Sequence, residues 1–332
     1  MTFIIDQRYD GCVLLSYLKS TLRISRSSLA SLKRDPQGLT VNGSHVTVRY
    51  RLCAGDVLNI NEVDSYEDEN ANLIPVDIPI DVIFENNDIT VVNKPPYMPT
   101  HPSHGHIDDT LANGIAYMYK QRQEPFVFRP IGRLDRNTSG ISLIAKHSIS
   151  ASFLFYARQK HLIKKKYIAI LCGETGIGDD YRTIDTYMKR QTESIIVRCV
   201  GTDSDPDAFR AITHWKPLYS GNGISVVEAI PETGRTHQLR VHFAHIGHPI
   251  LGDDVYGSES EFISRHALHA AYLSLPLPYD TDNCANFFTM PPEDMNEALI
   301  RICGLSFNDV FTPNPILPRF RNEAMLLVYP TS

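Results

Sequence analysis

From Val82 onward the chain offers short runs of aliphatic and β-branched residues with few helical segments between them: Val82–Phe84, Ile89–Val92, Ile141–Ile144, Tyr167–Leu171, Ile195–Val197 and Ile224–Ala229. Runs of this length and composition read as strands. A parallel neighbour has to be reached by a long crossover, whereas antiparallel strands need only a short turn, so strands arriving in succession must pair largely antiparallel. Helical spacing is confined to the neighbourhoods of Thr110–Gln121, Ser148–Lys160 and Thr236–His245. The expected fold class is therefore α+β, a mixed, largely antiparallel sheet with helices packed on it, rather than a doubly wound sheet.

A different pattern precedes this sheet. Val13–Leu18 and Ser27–Arg34 have helical spacing, with serines near Ser25–Ser28 as caps. Leu39-Thr40-Val41 runs into Asn42-Gly43, a hairpin signal, and is followed by the strand candidates Val46–Val48 and Asp56–Ile60. Residues 1–61 thus form a small α/β unit. Residues 62–75 are acidic and polar without an apolar period, which is linker composition. A sheet domain over 76–304 and a C-terminal tail over 305–332, expected to pack on it, complete a chain whose 332 residues exceed one typical domain.

The net charge of −6 conceals an uneven distribution. Residues 1–60 hold eight Lys and Arg against four acids, residues 61–90 hold nine acids and no base, and residues 133–167 hold eight bases against Asp135 alone. Two basic patches separated by an acidic spacer suit a nucleic-acid partner. Arg26, Lys33 and Arg34 lie on and around the second helix, where they can meet phosphates, and Lys164, Lys165 and Lys166 fall in the second patch. No run reaches membrane-helix length and the first residues lack a secretory layout, so a cytoplasmic protein with no membrane partner is expected. The six cysteines are far apart with no CxxC pair, which suggests neither a zinc ribbon nor a disulfide framework. His237, His242, His245 and His248 cluster, but no carboxylate completes a metal-binding pattern and Gly247 and Pro249 end the helix, so no metal is expected.

One stretch reads as a site. Gly132-Arg133-Leu134-Asp135-Arg136-Asn137-Thr138-Ser139-Gly140 sets one carboxylate between arginines in a turn-rich element flanked by two apolar runs. Such an acid suits an anionic nucleophile or an ion-pair partner better than a general acid. On this stretch alone, an acid that pins a turn fits as well as a catalytic one.

Four segments combine: Asn93-Lys94-Pro95-Pro96 with Thr100-His101-Pro102, the Asp135 stretch, Lys166-Tyr167-Ile168-Ala169, and Thr233-Gly234-Arg235-Thr236-His237-Gln238-Leu239-Arg240-Val241-His242. Gly252-Asp253 with Tyr256-Gly257, and Arg265 with Leu268-His269-Ala270, follow in order. Together they resemble the RluA-type pseudouridine synthases over about residues 76–300. The N-terminal unit resembles the small RNA-binding domain named after ribosomal protein S-four, in Ser25–Leu29, Val41-Asn42-Gly43 and Ala54–Leu58. The stretch Asp179–Asp207 departs from the family pattern.

The resemblance implies isomerisation of uridine to pseudouridine in structured RNA, ribosomal RNA before transfer RNA, by a monomer without cofactor or metal. It implies Asp135 as nucleophile and Arg235 as the residue that orients it. Tyr167 would stack on the uracil, Arg133 would enter the space left by the flipped base, and Leu268 would back that base. Lys94 joins the substrate-binding candidates. Two other readings stay open: a non-catalytic RNA-binding or ribosome-assembly protein that keeps the fold, and a glycosidase or nucleosidase, which normally places two carboxylates about the scissile bond or uses a metal-assisted water, where this motif set offers one carboxylate.

Overall fold

The computed structural model describes residues 1–61, 73–192, 194, 196–278 and 280–311. In the N-terminal unit, β1 (Thr2–Ile4), β2 (Leu39–Val41), β3 (Ser44–His45) and β4 (Val57–Ile60) form an antiparallel sheet in the order β1-β4-β2-β3, joined by α1 (Leu14–Ser20) and α2 (Arg26–Arg34). Asn42 and Gly43 have φ of 51° and 79°, the backbone a two-residue hairpin turn of this hand demands. Ser25 caps α2, its hydroxyl accepting from the Ser28 amide at 3.0 Å. The strand expected over Val46–Val48 is absent. Its place is taken by a cap: the carbonyls of Val48 and Tyr50 accept from the amides of Leu15 and Leu14, which open α1 without a side-chain cap.

The second sheet holds β5 (Asp81–Glu85), β6 (Ile89–Lys94), β7 (Arg129–Pro130), β8 (Ser139–Ala145), β9 (Lys164–Cys172), β10 (Arg182–Arg190), β11 (Arg198–Gly201), β12 (Phe209–Gly221), β13 (Ile224–Pro231), β14 (Leu268–Leu277) and β15 (Asp280–Phe288). Its main path runs β11-β10-β12-β13-β9-β14-β8-β6-β5, with β15 on β14 and β7 on β8. The helices α3 (Leu111–Gln121), α4 (Ser148–Gln159), α5 (Gln238–His245), α6 (Glu293–Cys303) and α7 (Phe307–Val310) accompany it. The expected α+β class with a mixed, largely antiparallel sheet is what forms. The strand anticipated over Ile195–Val197 is displaced to β11, because the Ser194 hydroxyl accepts from the amides of Ile196 and Val197 and so holds that stretch as a turn. Ile195 lies outside the described residues.

The largest core gathers Ile168–Leu171 of β9, Val226, Val227 and Ala229 of β13, Phe243 of α5, and Met295, Ala298 and Leu299 of α6. Phe307 and Phe311 are buried in it, so the start of the tail packs on this domain, while residues 312–332 lie outside the described ones. The N-terminal unit is also packed against the second domain. Ile149 of α4 is buried in the N-terminal core, the Ser28 and Ser148 hydroxyls are 3.0 Å apart, and the Arg23 guanidinium lies 4.0 Å over the Tyr156 ring. Residues 62–72 of the acidic segment are outside the described residues.

Among the described strands the one parallel pairing is the seam of β14 with β8, where His269 faces Ser139 and Ala270 faces Gly140. Gly140 has φ of +110°, and a Cβ there would lie 2.3 Å from the Ala270 carbonyl oxygen. Only glycine meets both demands. Gly140→Ala is expected to destabilise the fold by about 3 kcal/mol or more, read as a lowered urea midpoint. An unchanged midpoint would mean the seam tolerates a side chain.

Candidate active site

Asp135 sits in the loop between β7 and β8, and the backbone of that loop is held carbonyl by carbonyl. Leu134 O accepts from Thr100 Oγ1 at 2.9 Å, Asp135 O from the Thr138 amide at 3.0 Å, Arg136 O from Lys94 Nζ at 3.2 Å, and Asn137 O from Arg265 Nη1 at 2.9 Å. Lys94 is fully buried and gives its ammonium to the carbonyls of Pro95 and Met98 as well, at 2.8 and 2.9 Å. Burial, with the nearby charge of Arg265, pushes its pKa down to about 7, and Asp135 acts in the opposite direction. Arg265, also buried, grips Asp294 of α6 through Nε and Nη2 at 2.7 and 2.8 Å. Further on, the Thr138 hydroxyl meets His266 Nε2 at 2.8 Å and the Ser139 hydroxyl meets His269 Nδ1 at 2.9 Å. Lys94, expected at the substrate, lies beneath the loop instead and supports it.

Above this backbone lies a cleft of about 80 Å³ whose wall includes Asp135, Tyr167, Leu268, Arg133, His237 and Arg240. Tyr167 comes from β9 and Leu268 from the start of the neighbouring β14, so adjacent strands deliver both. Burial raises the Tyr167 phenol above its ordinary pKa, and the Asp135 charge adds to this, so the ring enters any reaction neutral. His237 has left-handed backbone, φ 57°, and its Nε2 stands 3.8 Å from Asp135 Oδ2. Its Nδ1 lies 2.9 Å from Tyr256 Oη, which itself accepts from the Arg198 amide at 2.9 Å. Tyr256 thereby has its proton left to give to Nδ1, and in that arrangement the imidazole proton resides on Nε2, facing Asp135. Burial lowers the pKa of His237.

Arg235 is not at the carboxylate. Its Nε donates to the Arg210 carbonyl at 3.4 Å and its guanidinium lies over Phe209, 5.0 Å from the ring centre. The reason is local: α5 starts at Gln238, whose Oε1 accepts from the Thr233 hydroxyl at 2.8 Å and the Arg235 amide at 3.0 Å. This folds the turn so that Arg235 and Thr236 leave the cleft. The Thr236 hydroxyl accepts from Arg133 Nη2 at 3.2 Å. The arginine of this motif that lines the cleft is Arg240, five residues further on, clamped to buried Asp253 at 2.8 and 2.7 Å. Sequence reasoning passed over Arg240 although it stands in the same motif; its partner Asp253, in the next motif, was the available signal.

Arg26, Lys33 and Arg34 remain exposed on α2, outside the cleft. Of the three lysines, Lys164 and Lys165 are half-buried and Lys166 is buried. Lys166 is buried with Nζ 3.1 Å from Glu228 Oε2, which pairs it across strands, and burial together with Arg158 pushes Lys165 down to about 8. Arg158, a residue the sequence did not single out, reaches from α4 toward the loops that carry Asp135 and Arg235: a methyl on Gly132 or Gly234 would lie 3.5 or 3.2 Å from its Nη atoms. Both ring nitrogens of His242 face hydroxyls, those of Thr213 and Thr186 at 2.9 and 3.1 Å. Among the described residues no group of three or more His, Cys, Asp or Glu is arranged to hold a metal ion.

Comparison with known proteins places this geometry. Residues 88–245 match the family described as RNA pseudouridylate synthase. A protein of Bacillus subtilis (strain 168) named "Uncharacterized RNA pseudouridine synthase YjbO" is 36% identical over 278 residues, 84% of this chain and 95% of that one. The "Ribosomal large subunit pseudouridine synthase D" of Zymomonas mobilis is 33% identical, over 82% of this chain and 88% of its own. Among solved structures, "Human RNA Pseudouridylate Synthase Domain Containing 1" superposes with a TM-score of 0.53 at 28% identity, covering 70% of this chain and 87% of that one. The chain belongs to the RNA pseudouridine synthase family, a family of isomerases.

Two measurements test the support of the Asp135 loop. Lys94→Met removes the donor from three carbonyls and is expected to lower stability by about 3 kcal/mol; a variant as resistant to urea as the parent would show that the loop stands without it. His269 is pushed down to about 4 by burial, below the ordinary histidine value near 6.5. Between those values the unfolded chain binds a proton that the folded chain does not, so this contribution to stability is present above pH 6.5 and is lost as pH falls toward 4. His269→Gln should make the fall in urea midpoint across that window shallower, and an identical pH profile would contradict a buried neutral imidazole.

Proposed function

We propose that the protein converts specific uridines of ribosomal RNA into pseudouridine, with Asp135 as the nucleophile acting on a flipped-out base. The observation that carries this reading is that Asp135 is the single acid among the residues lining a cleft that also presents Tyr167 and Leu268. A nucleosidase would normally set two carboxylates there. Substrate and product are isomers: the bond from ring nitrogen 1 to the sugar breaks, one from ring carbon 5 forms, carbon 5 loses a proton and nitrogen 1 gains one. No co-substrate enters that balance. The names of the relatives favour the large ribosomal subunit as the source of the RNA.

In this reading the target nucleotide leaves its helix at a cost of a few kcal/mol, and Arg133, at the rim of the cleft and tethered by Thr236, fills the space it vacates. Tyr167 stacks on the uracil, Leu268 backs it, and the neutral Tyr167 hydroxyl relays the proton that carbon 5 gives up. Asp135 is supported by His237 Nε2 and by the charge of Arg240, which takes the orienting role expected of Arg235.

Asp135→Asn should lower pseudouridine formation by at least about 10⁴-fold while leaving folding and RNA binding intact, measured by pseudouridine mapping of total RNA from cells with and without the functional gene. Retained turnover would remove Asp135 from the role of nucleophile. Release of free uracil would move the protein to the nucleosidases, and modification confined to transfer RNA would reassign the substrate.

A further inference from the structure

We infer that a second groove, across the turn Thr233–His237 from the cleft, binds the nucleotide next to the target uridine as one phosphate and one unpaired base. The inference rests on the RNA reading above and adds a subsite to it. The groove measures about 450 Å³ and is lined by Arg190, Arg198, Arg235, Lys189 and Phe209, with Asp207 as the acid among them. Its walls come from β10, β11 and the start of β12, so most of it is built from the stretch Asp179–Asp207 that departs from the family pattern.

Charge and shape both point to a nucleotide. The ammonium of Lys189 is engaged with Asp205 at 2.6 Å. Two of the arginines are held differently: Arg190 Nε donates to Ser194 O at 3.0 Å and Arg235 Nε to Arg210 O at 3.4 Å. A carbonyl fixes the direction of a guanidinium without cancelling its charge, which prepares it for a phosphate oxygen. Phe209 is 58% exposed, an unusual position for a phenyl ring, and Arg235 lies over it. An exposed ring beside oriented cations is the platform on which unpaired bases stack.

Connectivity fixes which nucleotide. Gly234 and His237 line the cleft while Arg235 and Thr236, between them, line the groove. Arg133 reaches from the cleft wall to the Thr236 hydroxyl, so the rim that the RNA must cross is one side-chain contact wide. A strand whose uracil enters the cleft therefore lays its neighbour in the groove.

Anisotropy of labelled pentauridylate on the full chain, with uridine monophosphate as the single-nucleotide probe, tests this. Phe209→Ala is expected to weaken pentauridylate about 5- to 100-fold and to leave uridine monophosphate unchanged, with Phe209→Tyr restoring affinity. Arg190→Gln should reduce the slope of log affinity against log salt by about 0.7. Unchanged pentauridylate binding by Phe209→Ala overturns the subsite, as does equal loss for both probes or equal loss for pentaglutamate, which would indicate an acidic peptide. Should Phe209→Ala fail to fold, Phe209→Leu compared with Phe209→Tyr reads the same contrast. None of these readings needs turnover, so failure of the isomerase assignment would appear in the Asp135→Asn experiment and failure of the subsite here.

Discussion

Two buried cations hold the backbone of the loop that carries Asp135. Burying an ammonium or a guanidinium costs several kcal/mol unless its donors are taken up. Here the acceptors include carbonyls of the loop itself, Arg136 O for Lys94 and Asn137 O for Arg265. Pro95 O and Met98 O for Lys94 and Asp294 for Arg265 offset part of the cost of desolvating the cations, and the loop carbonyls complete it, so loop geometry and core formation are coupled. Because the carbonyls from Leu134 to Asn137 all have donors beneath or within the loop, the Asp135 carboxylate, 22% exposed, is left to the cleft.

The sheet explains why those cations meet there. Lys94 ends β6, Arg265 precedes β14, and both strands flank β8, whose first residues continue from the loop. The parallel contact of β14 with β8 is two residues long and lies at Gly140, so it brings the segment Arg265–Leu268 alongside Asn137–Ser139. On the other edge of β14, β9 supplies Tyr167, and the turn Thr233–His237 with the start of α5 closes the remaining side of the cleft.

The succession of strand-forming runs made the α+β class legible, and the ordered motifs made Asp135, Tyr167, Leu268 and Arg133 legible as one cleft. Charge was read less well, because sequence shows that a residue is cationic and not whether it is solvated. Lys94 and Lys166 have the composition of phosphate ligands, yet one is capped by three carbonyls and the other is paired with Glu228. Arg235 and Arg240 stand in the same motif, and choosing between them depends on where α5 begins. That is decided by the Gln238 side chain accepting from Thr233 and Arg235, a contact with no periodic signature. The strands β10 and β12 carry no apolar run of their own for a related reason: Arg182, Asp185, Arg190 and Arg210 on them are exposed, and alternation with charge weakens an apolar run.

The same distinction orders the rest of the molecule. Lys94, Lys166, Arg240 and Arg265 are buried, whereas Arg26, Lys33 and Arg34 on α2, Arg133 at the rim of the cleft and Arg190 and Arg235 in the groove beside it are exposed. Their relative placement depends on α4, whose 12 residues span about 18 Å. One end inserts Ile149 into the N-terminal core and sets Ser148 against Ser28. The other carries Arg158 to Gly132 and Gly234, the residues that precede Arg133 and Arg235. A single helix thus ties the position of the N-terminal unit to both loops of the site, and the acidic stretch between the two units need not set that geometry.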